Sequence, residues 1–171
     1  MKDKTQEEHR KLLTAAGQGD LARLSALLSD YLSQADTHHV QDVVHAKTGE
    51  GLIHVAARGG HLSCLQHLLD AGCQVDQRSL EFKTALHEAA QSGQAEAVRL
   101  LLEAGAEVDS LKRADWTPLM LGATKAGRQD NIMGTKSSYL ISLFPPESSK
   151  SWNYFLNTTI ADNTRESLFI Y

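Results

Sequence analysis

Small, apolar and polar positions along this chain fall into blocks that return every 33 residues. Thr84-Ala85-Leu86-His87-Glu88-Ala89-Ala90 comes back as Thr117-Pro118-Leu119-Met120-Leu121-Gly122-Ala123, and Gly51-Leu52-Ile53-His54-Val55-Ala56-Ala57 precedes it by the same interval. The second half of each block keeps phase too. Gly60-His61 matches Gly93-Gln94, Leu68-Leu69 matches Leu101-Leu102, Ala71-Gly72-Cys73 matches Ala104-Gly105-Ala106, and Val75-Asp76 matches Val108-Asp109. Each block predicts two short helices. Thr84 is placed to cap the first, and the small Ala89 and Ala90 let that helix approach its neighbours. Gly93 ends it in the left-handed conformation that suits glycine. Val98, Leu101 and Leu102 lie at i, i+3 and i+4, an apolar stripe on a second helix that Gly105 ends. Val108-Asp109 then leads out to the next hairpin. One block cannot bury its stripe alone, whereas stacked blocks can, so the pattern predicts a nearest-neighbour stack of helix pairs.

The period is imperfect at both ends. An atypical first block runs from Leu12-Leu13-Thr14-Ala15-Ala16 through Gly19-Asp20-Leu21 to Leu27-Leu28. Its Ala-Ala pair precedes the next by 41 residues, so eight extra residues must sit between Ser29 and Glu50. Glu7, Glu8, His9, Arg10 and Lys11 are expected to face outward as a polar end cap. The fourth block starts at Asp115-Trp116-Thr117-Pro118-Leu119 and then breaks. Its helix-ending glycine has slipped to Gly127, and Gly134-Thr135 stand where a Leu-Leu pair is due. From about Gln129 the chain is rich in Ser, Thr and Asn, with Pro145-Pro146. A repeat domain over 1–128 and an irregular or disordered tail over 129–171 follow. Leu119, Met120, Leu121 and Ala123 are expected to lack the helix that would cover them. Tyr139-Leu140-Ile141-Ser142-Leu143-Phe144 is strand-prone and is a candidate to fold back over that open end. Trp152-Asn153-Tyr154-Phe155 and Leu168-Phe169-Ile170 form a weak echo of a further block. An alternative reading is a truncated, splice-type product of a longer array with little independent function.

These residues resemble the ankyrin repeat family, which has the same 33-residue period and a Thr-Pro-Leu-His-x-Ala signature. The resemblance covers about residues 8–128. It implies an all-α solenoid of about 3.5 repeats with an irregular C-terminal tail. His54 and His87 occupy the position where the family's imidazole hydrogen-bonds backbone between repeats. The resemblance also implies a non-enzymatic module that holds a protein partner at hairpin tips and on a concave helical face. The residues so placed are Thr48, Gly49 and Glu50; Arg58, Glu81, Phe82 and Lys83; and Gln91, Ser92, Asp115, Trp116 and Lys125. Phe82 and Trp116 stand out, because a ring at a tip is costly to expose and is a common interface anchor. A narrower resemblance, over Val108–Met120 and Leu86–Ala90, is to a vertebrate member of the family. It implies a partner of alanyl-tRNA synthetase that aids translational fidelity by accepting misactivated serine on lysine. Lys112 is the acceptor so implied; Arg113 beside it stays protonated and cannot serve.

Composition narrows the alternatives. The chain has 171 residues, 42% of them apolar and 22% charged, enough for one domain with a core. Its net charge of −4 provides no basic excess for a phosphate backbone, so direct nucleic-acid binding is not expected. No apolar run approaches ~18 residues and no signal peptide is apparent, so neither membrane insertion nor secretion is expected. Two cysteines fit reduced thiols in cytoplasm or nucleus. Cys64 and Cys73 read as small apolar fillers. His38-His39 and His45 match no zinc spacing, so no metal or cofactor is expected. Gly17-Gln18-Gly19 follows a helix, not a strand, and is no phosphate cradle. Asn157-Thr158-Thr159 is a formal glycosylation sequon without a route to the enzyme that would use it. No nucleophile or paired-carboxylate motif appears, so catalysis is not expected, and a monomer is.

Overall fold

The computed structural model describes residues 2–34 and 39–122. They form three helix pairs and the start of a fourth. α1 (Lys2–Gln18) pairs with α2 (Leu21–Ser33), α3 (Leu52–Gly59) with α4 (Leu62–Asp70), and α5 (Ala85–Ser92) with α6 (Ala95–Glu103); residues 118–122 open α7. Two residues separate the helices of each pair, which turns the second back onto the first. α1, α3 and α5 pack in one row, and α2, α4 and α6 in another. The described chain is thus an all-α solenoid of stacked helix pairs, with no strand beyond one isolated bridge between Val44 and Gly51. The boundary at 129, Ala123, Lys125 and Gly127, the segment Tyr139–Phe144, Pro145-Pro146, Trp152–Phe155 and the sequon lie outside the described residues.

The period explains the core. Ile53, Leu86 and Leu119 share one phase of the first helices, and all three are fully buried. Leu119 therefore does not stand uncovered as the sequence suggested: it is fully buried as part of the core, and Leu121 is nearly as buried. On α6 the apolar stripe is Ala97, Val98 and Leu101, with Leu102 at its edge. Gly60 and Gly93 end α3 and α5 in the left-handed conformation, at φ of 70° and 76°.

The surplus residues of the first repeat are put to use. α2 has 13 residues where α4 and α6 have 9, and a 3-10 turn at Val40–Asp42 follows. The turn seats Val40 and Val43 in the core. The added length also buries Tyr31, whose ring meets His9 edge-on at 5.6 Å, with His9 Nε2 3.3 Å from the phenolic oxygen. His9 is therefore half-buried against α2 and not part of an outward cap, as are Glu7 and Glu8 in part.

Hydrogen bonds with the same 33-residue period lock neighbouring repeats. The amides of Gly51 and Thr84 donate to Nδ1 of His54 and His87, at 3.1 and 3.2 Å. Nδ1 must then be the acceptor, so the ring's one proton sits on Nε2. Nε2–H donates to the next hairpin, at 2.9 Å to the Lys83 carbonyl and 3.0 Å to that of Trp116. Thr84 is the N-cap of α5, as expected, in a capping box with His87, and its hydroxyl also lies 3.0 Å from Nδ1 of that ring. Where Met120 replaces the histidine, the Thr117 hydroxyl accepts the Met120 amide directly at 3.4 Å. A second tie sits at the other end of each first helix. Nε2 of His61 donates to the Gly17 carbonyl at 2.9 Å, and Gln94 donates to that of Arg58 at 3.4 Å.

Burial pushes both clamp histidines down, His87 to about 4, although their carbonyl partners pull the other way. Unfolded, His87 takes up a proton below about 6.5; folded, only near 4. Its contribution is complete above pH 6.5 and is lost as pH falls through 4, about 3 kcal/mol for the full shift. Urea denaturation across that range should show stability falling with acidification, and His87→Gln should flatten the fall.

Candidate functional site

The hairpins between repeats end in three tips: residues 45–50, 78–83 and 111–116. Tips 2 and 3 are built alike. Ser79 N–H donates to the Lys83 carbonyl at 2.9 Å as Lys112 N–H does to that of Trp116 at 3.1 Å. Phe82 N–H donates to Ser79, and Asp115 N–H to Lys112, again 33 residues apart. The tips are also bonded to one another: Leu80 N–H to the Thr48 carbonyl and Arg113 N–H to that of Glu81, both at 3.0 Å. They form one ladder along the edge of the stack.

One tip position has the left-handed backbone in all three: Gly49 at φ 67°, Phe82 at 60° and Asp115 at 57°. Glycine suits that region and aspartate tolerates it, but a phenylalanine there costs about 1 kcal/mol. Leu80 lies across Gly49, where a Cβ would come within 2.8 Å of its Cγ. Of the six large apolar residues left exposed among the described residues, Leu80 (59%), Phe82 (50%), Leu111 (46%) and Trp116 (37%) sit on tips 2 and 3. The Lys112 ammonium lies 5.9 Å from the centre of the Trp116 ring.

The charged candidates behave differently. Arg58, at the end of α3, pairs with Glu50 and donates from Nε to Glu88 of α5 at 2.8 Å. Lys83 lies 3.3 Å from the other Glu88 oxygen, 3.5 Å from Glu81 and 3.3 Å from the Gln91 amide oxygen. Five candidates thus gather around Glu88, which sequence reasoning missed. The signal was a carboxylate in the phase that holds Val55 and Leu121 in the adjoining repeats. Burial alone would raise the Glu88 carboxyl, but Arg58 and Lys83 more than offset it and hold it below its ordinary value. Ser92 is half-buried at the end of α5, and Asp115 is exposed on tip 3. Lys125 lies outside the described residues.

Among the described residues no three His, Cys, Asp or Glu side chains converge as metal ligands. Both thiols are buried and free, and burial pushes Cys73 up to about 11, away from the thiolate that nucleophiles and metal ligands need. No described helix is long and apolar enough to cross a membrane. The family model for ankyrin repeats (3 copies) matches residues 12–112 and 53–133 of this chain.

Replacing Arg58 with methionine should leave the Glu88 carboxylate with Lys83 alone. We expect a loss of about 1–2 kcal/mol at neutral pH, moderate because the Arg58 side chain is 42% exposed. The difference should shrink as Glu88 is protonated below pH 4.5, which paired urea titrations would detect.

Proposed function

The chain belongs to the ankyrin repeat family, whose repeats are protein-interaction modules, and on that premise we propose that it holds a protein partner on tips 2 and 3 and the adjoining ends of α3 and α5. The observation that carries this reading is the gathering, on two hydrogen-bonded tips, of four of the six large apolar residues exposed among the described residues. Apolar surface concentrated in this way gains from being covered, and aromatic side chains supply most of the energy in such contacts. The chain acts by binding, not by catalysis. Its buried, free thiols fit a reducing compartment, the cytoplasm or nucleus.

For the partner we propose alanyl-tRNA synthetase, on the likeness of Val108–Met120 to vertebrate ankyrin repeat domain-containing protein 16. Lys112 is then the acceptor. Its amine, once deprotonated, attacks the carbonyl of a misactivated seryl-adenylate, an amide forms and AMP leaves. Lys112 is half-buried on tip 3 beside Trp116, close to the surface proposed for the partner.

Replacing Phe82 and Trp116 together by alanine should weaken capture of the synthetase about tenfold or more and leave a cooperative helical melt. Unchanged capture would remove these anchors. Mass spectrometry after incubation with the synthetase, serine and ATP should find a seryl adduct on Lys112, absent from Lys112→Arg. An unmodified lysine would end the acceptor role and leave the binding role standing.

A further inference from the structure

Charge is sorted unevenly along the tips. Where the tips meet α3 and α5, Glu50, Arg58, Lys83 and Glu88 neutralise one another in a closed set of pairs, Glu81 is drawn to Lys83, and Arg78 of tip 2 is paired with Glu107. The remaining tip charges differ. Among the described residues, Lys47, Lys112 and Arg113 have no ion-pair partner, against the single unpaired carboxylate of Asp115. This surplus of cations occurs in a chain whose net charge is −4. The same tips hold the exposed Leu80, Phe82, Leu111 and Trp116.

Phe82 adds an independent indication. Its backbone is in a conformation that the tip before it assigns to glycine, yet its ring is half exposed and gives the core little in return. A residue that is costly to the fold and idle within it is best explained by what it touches outside the fold.

We propose that tips 2 and 3 form a cationic, aromatic strip that takes a linear peptide segment in which Asp or Glu residues flank aromatic or aliphatic ones. Apolar side chains of that segment would pack on Phe82 and Trp116, and its carboxylates would meet Lys112 and Arg113, with Lys47 at the far end of the ladder. The assignment rests on the module reading above and adds the chemistry of the partner. Charges on an exposed strip set selectivity and salt dependence more than affinity, so both should be measured.

The test is a random linear peptide library displayed on phage and selected on the full chain, with anisotropy titrations of the enriched peptides. The expected result is enrichment of sequences that combine Asp or Glu with Phe, Trp or Leu and bind more weakly as salt rises. Affinity should drop about tenfold or more in Lys112→Glu/Arg113→Glu and in Phe82→Gly. The melting temperature of Phe82→Gly should be equal to or above that of the parent, since glycine relieves the backbone. A lower melting temperature would show the ring to be a structural prop and overturn the assignment. So would enrichment of neutral or basic peptides, or binding that the tip substitutions leave unchanged. If those peptides were instead lost on Gln91→Arg, the module reading would survive with its site moved to the concave face. A library without binders would overturn the linear segment and leave a folded partner, still detectable by capture of the synthetase.

Discussion

A single proton on each of two buried imidazoles holds the order of this stack. His54 and His87 accept an amide of their own helix on Nδ1 and donate from Nε2 to a carbonyl of the following hairpin. Both requirements can be met only by the neutral ring with hydrogen on Nε2. A doubly protonated ring loses the cap, and the other tautomer loses both the cap and the tie. The clamp thus makes helix start and hairpin position one event, and the 33-residue period follows because each hairpin must reach the same ring. The tips inherit their placement from this. Lys83 and Trp116, whose carbonyls are held, are the last residues of tips 2 and 3.

Two surfaces with different logic result. On the concave edge, charges from neighbouring repeats settle on Glu88, so side chains that look available in the sequence are already engaged within the chain. Such a set is costly to disturb and poorly placed to meet a partner's charges. On the rest of the tips, Lys47, Lys112 and Arg113 stand without an ion-pair partner among the described residues, on the same hairpins as the exposed rings of Phe82 and Trp116. The distinction is one of bonding and not of exposure alone: Arg58 is 42% exposed and still committed to two carboxylates.

Much of the fold was legible because it rests on local chemistry repeated in phase. Helix pairs and their glycine ends depend on residue type at fixed spacing, and the family resemblance implied the bridging role of His54 and His87. The misreadings arose where a residue's partner lies elsewhere in the chain. His9 faces Tyr31 only because α2 is lengthened by residues that looked like a loop. Leu119 is buried in the common core although its own block breaks off. Glu88 was hidden for another reason: it sits within a motif whose neighbours attract notice, and its importance lies in cations from two other segments, Arg58 of α3 and Lys83 of tip 2. The left-handed backbone of Phe82 was readable in principle, since the tip 33 residues earlier has glycine in that phase, but a lone phenylalanine gives no warning of its φ angle.

The clamps also explain why the exposed anchors stand where they do. The first repeat has Leu13 in the histidine phase, so no ring holds tip 1 from before. Tip 1 is also the tip without a large apolar residue. Tips 2 and 3, each pinned by an imidazole and by the tip before it, carry Leu80, Phe82, Leu111 and Trp116. A ring on a loose hairpin would have to be ordered when a partner binds, at a cost that subtracts from affinity. On a pinned hairpin that ordering is complete once the chain has folded. The interaction that fixes the register of the stack is therefore also the one that pre-organises its binding edge, and weakening a clamp would act on binding through the tip it holds.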